Sequence, residues 1–247
     1  MTLDNVIDRP EESKEYKQAW VVTGMYLESL FNRYNRRLDN KFAGFCWLRA
    51  ELISPTFDSM NFRFKNRVYS VLLNLVSEGH SYLPKEQKDM QIEVCAANDM
   101  IPCLFTISPD DMSPAEPGWN LRHTVTHAII NPVRISDDSP RQISEWELSN
   151  WGISFVKQNL EQKGYKIMSF TDMPGIEPQM WFEDSSGRPS WIQVVVNDSE
   201  GPLDYSDSLL ENYPGYMAKV NIAPLGDDPV IYRSRPADIE FDGLEKI

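Results

Sequence analysis

Residue types that usually mark an active site or an export route are scarce in this chain of 247 residues. It has three cysteines, Cys46, Cys95 and Cys103, an odd number without zinc-like spacing. Reduced thiols in a cytosol are the simplest reading. All three sit inside apolar segments, where cysteine behaves as a small hydrophobe rather than a nucleophile. The 12 glycines form no cluster able to cradle a phosphate, and neither a P-loop nor G-x-S-x-G is present. No apolar run approaches the roughly 18 residues of a membrane span. The segment Met1–Glu12 is polar and acidic, without a secretory core. Positive charge is also short: 24 Lys and Arg stand against 37 Asp and Glu, a net charge of −13. A uniform field of that sign repels phosphate backbones and anionic lipids, so it excludes an indiscriminate nucleic-acid coat protein. A soluble, acidic, cytoplasmic protein with no membrane partner is expected.

Two of the three histidines, His123 and His127, have the spacing that presents a zinc pair on a helix. The intervening Thr124, Val125 and Thr126 favour a strand, on which four residues span about 13 Å, too far for one ion. No glutamate follows His123, so loop histidines and no metal are expected there.

Enough apolar residues remain for a packed core: 41% of the chain is hydrophobic and 25% charged. The length suits one large domain or two of about 120 residues. A helix is predicted over 13–38, with Tyr16, Trp20, Leu27, Leu30, Phe31, Tyr34 and Leu38 on one face. A strand follows at Phe42–Ile53. Residues 60–76 read as a hairpin turning at Lys65, Asn66 and Arg67, with Val68–Val76 apolar enough to be a central strand. Pro84 opens a helix over Lys85–Ala97, whose apolar members are Met90, Ile92, Val94 and Cys95. Ile101–Ile107 is the next strand. Residues 108–142 are rich in Pro, Asp and Ser and read as an irregular connection, holding one short strand at Thr124–Ile130.

The second half begins with a capping box at Ser144 and Glu147, a staple of Ile143 and Leu148, and a C-terminal cap at Gly164. Strands follow at Tyr165–Phe170, Gln179–Phe182 and Ser190–Val196, the last two joined by a turn at Asp184–Arg188. On that hairpin, Trp181 and Trp191 can pair across the strands. A short helix near Ser206–Asn212 precedes strands at Tyr216–Ile222 and Val230–Arg233. The fold class is therefore α/β, with a mixed sheet flanked by helices in each of two lobes, 1–110 and 143–247, joined by 111–142. Both lobes read helix, three strands, helix, strand. That order suggests a tandem duplication; the alternative is that mixed α/β halves share it by chance.

Residues 144–196 resemble the PD-(D/E)xK restriction-endonuclease-like family. Its members carry an acidic residue entering a hairpin and E-x-K on the following strand. The resemblance implies a site in which the two acids bind a divalent metal and the lysine positions water. Here Glu177, after Pro174, Gly175 and Ile176, matches the first acid. On the strand Trp191–Val195, Gln193 stands in place of the glutamate and Val195 in place of the lysine. Glu147 is a further carboxylate some members use, and Lys157, Lys163 or Lys166 would have to replace the lost lysine. In the first half Asp58 matches the acid, but Tyr69–Leu72 offers neither carboxylate nor lysine. The whole chain also resembles a family of uncharacterised bacterial proteins, through Met100–Phe105, Trp119–Leu121 and Ile239–Glu245. That resemblance implies the same two-part layout.

Charge separates the halves. Up to residue 140 there are 15 basic and 19 acidic residues, net −4; beyond it there are 9 and 18, net −9. The nuclease-like half is the more acidic, the reverse of what a DNA groove requires. Nucleic acid is thus not the expected partner. Asp198, Glu200, Asp204, Asp207 and Glu211 form an acidic run that reads as a docking surface for a basic protein, or else as a solvated face. The leading expectation is a non-catalytic binding or scaffolding protein without cofactor. The alternative is a metal-dependent nuclease with a displaced site, using Mg²⁺ at Glu177, Gln193 and Glu147.

Overall fold

The structure, a computed structural model, describes residues 13–48, 60–171, 177–197 and 210–247. The N-terminal tail, the end of the segment expected as a strand at Phe42–Ile53, Asp58, Pro174–Ile176, and Asp198, Glu200, Asp204 and Asp207 lie outside the described residues. The chain is mixed α/β and divides into two compact units, the first ending at Arg141 and the second running from Gln142 to Ile247. No described helix is long and apolar enough to cross a membrane.

In the first unit, α1 spans Lys14–Asn35, its first turn capped by Ser13 Oγ, which accepts from the Tyr16 amide at 3.0 Å. It stops short of the expected residue 38 because Asn35 turns its side chain away from the helix. Its Nδ2 donates to Phe45 O at 2.8 Å and its Oδ1 accepts from Phe45 N at 2.7 Å. That clamp places Phe45 against Phe31, with centroids 4.8 Å apart, and within 5.0 Å of Trp119. Stacking of this kind adds to plain apolar burial. The segment expected as a strand from Phe42 is a 3₁₀ turn at Lys41–Ala43 and a two-residue strand, β1, at Cys46–Trp47.

The hairpin forms as expected from β2 (Met60–Phe64) and β3 (Arg67–Ser77), and β3 is buried along most of its length. A short strand β4 (His80–Ser81) folds back on it. Helix α2 (Lys85–Ala97) then supplies the crossover that lets β5 (Met100–Ile107) lie parallel to β3. Its buried face differs from the expected one. Gln91 is buried and Met90 exposed, because the Gln91 amide donates to the carbonyls of Ser70 (2.7 Å) and Cys103 (3.1 Å) and accepts from Thr124 Oγ1 (2.8 Å). Satisfied in this way, a polar side chain tolerates a core position.

The proline-rich stretch extends this sheet. Strands β6 (Leu121–His123) and β7 (Ile129–Ile130) pair with each other, and β6 pairs with β5. The expected strand at Thr124–Ile130 is instead mostly a turn, closed by His127 N donating to His123 O at 2.9 Å. A short helix α3 (Pro132–Ile135) follows.

The second unit begins with α4 (Glu145–Gln162). Its capping box is complete: Glu147 N donates to Ser144 Oγ at 3.2 Å and Ser144 N to Glu147 Oε2 at 3.1 Å. At the other end Tyr165 N donates to Leu160 O and Gly164 N to Glu161 O, both at 3.0 Å, with Gly164 at φ +86°. This is the paired bonding of a Schellman stop. Strands β8 (Lys166–Phe170), β9 (Met180–Glu183) and β10 (Pro189–Val196) are consecutive antiparallel neighbours, and Trp181 sits opposite Trp191. After a 3₁₀ turn at Leu210–Asn212, β11 (Gly215–Pro224) runs parallel to β10.

The sheet closes with β12 (Ala237–Lys246), antiparallel to β11, and not with Val230–Arg233. That strand carries a readable period of two, Ile239 and Phe241 alternating with Asp238, Glu240 and Asp242. A register shift opposite Ala218 and Val220 coincides with Gly243 at φ +112°, the conformation of a glycine-containing bulge.

The two sheets share an order. In the first, β1-β2-β3-β5 run antiparallel, antiparallel, parallel, and a further antiparallel strand, β6, lies beside β5. In the second, β8-β9-β10-β11 repeat those directions, with β12 beside β11.

Candidate functional site

Strand β10 carries the positions that matter to a nuclease-like site. Ile192, Val194 and Val196 join the core with α4, so Trp191, Gln193 and Val195 occupy the other face by alternation. Gln193 is 4% exposed and Val195 is 8% exposed. Strand β9 begins at Met180, opposite Ile192. Gln179 Oε1 then accepts from Val194 N at 2.9 Å, and Gln179 O accepts from Thr171 N at 2.8 Å. The segment entering β9 is thereby pinned to β10 on one side and to the end of β8 on the other. Glu177, two residues earlier, is exposed. Of the three motif positions expected from the sequence, Glu177 thus meets solvent, while the two on β10 are a buried amide and a buried isopropyl group.

The helix carboxylate is occupied. Glu147 is 1% exposed, and Arg233 donates to it from Nε (3.0 Å to Oε1, 2.9 Å to Oε2) and from Nη2 (2.6 Å to Oε2). The two side chains are 0% and 1% exposed. Glu147 therefore caps α4 and neutralises a buried guanidinium at once. Sequence reasoning explains only the first role. Arg233 lies in a turn that the apolar run Val230–Tyr232 disguised as a strand, and no periodicity marks it.

The lysines considered as replacements make the following contacts among the described residues. Lys157 Nζ lies 4.8 Å from the Phe170 ring centroid and 3.6 Å from Glu161. Lys166 pairs with Glu183 at 2.7 Å. Lys163 caps α4 and lies 5.8 Å from the Phe241 ring centroid. No group of three or more His, Cys, Asp or Glu among the described residues is placed to share a metal ion.

The remaining candidates resolve locally. His123 Nδ1 accepts from Val125 N (3.2 Å) and Thr126 N (3.3 Å), so that imidazole closes its own turn. Cys95 and Cys103 are buried, and burial pushes the Cys95 thiol up to about 12 and Cys103 well above the ordinary thiol range. Neither forms thiolate near neutrality, as nucleophilic attack requires. Of the acidic run, Glu211 is described, exposed in the 3₁₀ turn before β11. Two of the segments singled out in the sequence build sheets: Met100–Phe105 lies in β5 and Ile239–Glu245 in β12. Trp119 packs in the aromatic core, and Asn120 Nδ2 donates to Thr106 O at 2.6 Å.

Residues 146–247, from the first turn of α4 through β12, match a family described as a domain of unknown function (DUF8840). That description names no activity. Comparison with curated proteins and with solved structures gives no match.

Proposed function

We propose that this chain is a non-catalytic binding protein built on a degenerate restriction-endonuclease-like unit. The observation that carries the reading is the occupation of the catalytic positions. Val195 is buried where a water-activating lysine belongs, Gln193 is a neutral amide, and the Glu147 charge is committed to Arg233. A hard divalent cation binds through charged oxygen ligands, and replacing one by an amide weakens that attraction. Losing the lysine removes the cation that offsets developing phosphate charge. Each loss costs on the order of 10²–10³ in rate.

The scaffold part of the reading rests on strand order. A helix followed by three consecutive antiparallel strands, as in the second unit, is the arrangement that the PD-(D/E)xK resemblance implies. The first unit repeats it, which supports a tandem duplication of one ancestral unit. The partner is a basic protein surface, favoured by the excess of carboxylates beyond residue 140 and the exposed Glu211.

The test is a cleavage assay of the purified protein on double-stranded DNA, single-stranded DNA and RNA with Mg²⁺ or Mn²⁺. No cleavage above background is expected. The double substitution Gln193→Glu, Val195→Lys should create Mn²⁺ binding, seen by isothermal titration, that is lost on adding Glu177→Ala. Wild-type cleavage abolished by Glu177→Ala would overturn the reading in favour of a displaced-site nuclease.

A further inference from the structure

A cavity of about 320 Å³ opens in the second unit, at the C-terminal end of α4. It lies beyond the β9–β10 turn, on the α4 side of the sheet, at the end of β9 opposite the Glu177 entry. It is therefore independent of the nuclease-like positions. Its volume falls within the range of small-molecule sites.

The Schellman stop builds it. Because α4 ends at Lys163 and the chain reverses at Gly164, the helix covers the sheet only as far as Leu160, and Tyr165 turns back beside it. Phe182, 1% exposed, is the ring against which the others stand. Tyr165 meets it edge-on at 5.5 Å and 82°, and Tyr216 at 5.8 Å and 61°. Phe241 and Leu244 line the β12 side. These rings make apolar walls suited to a flat ligand.

The polar groups select its charge. Asp184 belongs to the lining, but its Oδ1 already accepts from Ser186 N (2.8 Å), Ser186 Oγ (2.6 Å) and Arg188 N (3.0 Å). Those bonds hold its carboxyl below the usual range and tie it to its own turn. The donors are uncommitted. Among the described residues, the hydroxyls of Tyr165, Tyr216 and Ser185 meet no hydrogen-bond partner, and the Lys163 ammonium meets only the Phe241 ring. With Asp184 Oδ1 held in its own turn and four donors free around the rings, the lining favours an acceptor-rich group seated at Lys163, away from the still-charged Asp184 carboxylate. The net charge of the chain opposes an anion at long range. At physiological salt that field is screened beyond about 8 Å, so groups lining the cavity decide.

We propose that this cavity binds a small planar organic anion, its ring system between Tyr165, Tyr216 and Phe182 and its carboxylate or equivalent group at Lys163. The bound ring excludes water from the aromatic walls, and the phenol hydroxyls donate to the anion. Binding requires no metal and no chemistry at Glu177.

The test uses the full chain and three probes of one shape: 2-naphthoate, neutral 2-naphthalenemethanol and cationic 2-naphthylmethylammonium. Affinity is measured by isothermal titration, and the site by amide chemical-shift mapping. Saturable binding of 2-naphthoate, with shifts at Tyr165, Ser185 and Tyr216, is expected, and weaker binding of the other two. Lys163→Met keeps the side-chain stem and should weaken 2-naphthoate about fivefold while leaving the neutral probe unchanged. Ser185→Trp, on an exposed turn, should block all three. Absence of saturable binding at millimolar concentration would overturn the proposal. So would shifts mapping elsewhere, equal affinity for the three probes, or indifference to Lys163→Met. A cleavage assay positive for nuclease activity would leave this result standing, and a failure here would leave the reading of Gln193 and Val195 standing.

Discussion

Arg233→Met is the substitution that most directly probes how the second unit is built. It removes the guanidinium and leaves the Glu147 carboxylate at 1% exposure with the Ser144 amide as its donor. A buried charge stripped of its partner costs about 3–5 kcal/mol. Whole domains have only roughly 5–15 kcal/mol of stability, so the loss is a large fraction of the total. The melting temperature of this unit should fall by more than about 10 °C. Adding Glu147→Gln should restore much of the loss, because the amide oxygen still caps α4 and carries no charge. Urea unfolding at neutral pH gives the free energies, read through the emission of Trp146, Trp151, Trp181 and Trp191, all in this unit. A cycle of the two singles and the double isolates the coupling. If Arg233→Met cost less than about 1 kcal/mol, or the double variant lost the sum of the singles, the pair would be uncoupled. Glu147 would then be free to serve as a metal ligand.

Gly215→Ala should destabilise the same unit by about 1–3 kcal/mol, since the new Cβ would stand 2.3–2.8 Å from three atoms of the Trp191 indole. That ring is buried and donates from Nε1 to Leu210 O at 3.2 Å; an unchanged melting temperature and indole emission would show that it swings aside freely. Thiol labelling of the folded protein near pH 8 should modify half-buried Cys46 and spare Cys95 and Cys103, all three reacting in denaturant; fast labelling of three thiols in the folded state would refute the burial argument. The Cys95 thiol titrates near 9.0 when unfolded and about 12 when folded, so between those values the unfolded state binds fewer protons and stability falls as pH rises. Cys103 and Tyr69, also raised by burial, act in the same direction, and denaturant titrations at pH 8 and pH 10 should show the first unit weaker at the higher pH.

Much of the element order is legible without the fold. Helix α4 starts and stops where Ser144, Glu147 and Gly164 predict, because a cap depends on contacts within a few residues. The β2–β3 hairpin and the unbroken apolar run of β3 follow equally short-range patterns. The misread segments share a different cause. Met90 is exposed and Gln91 buried because two strand carbonyls lie where only the packed sheet presents them. Val230–Tyr232 looks like a strand and instead carries Arg233 into the core, while the genuine edge strand, β12, alternates only as far as Asp242, where Gly243 breaks the period.

For the candidate site the division is similar. The sequence by itself determined which groups are missing: Gln193 and Val195 are fixed by residue identity, whatever surrounds them. Only the tertiary structure decided what became of Glu147, whose partner stands 86 residues away. Local pattern cannot choose such a partner, since the cost of leaving a charge unpaired arises only where the fold excludes water. The aromatic cavity has the same origin. Tyr165, Phe182, Tyr216 and Phe241 come from four different strands or their approaches, and strand order alone brings them to one end of the sheet.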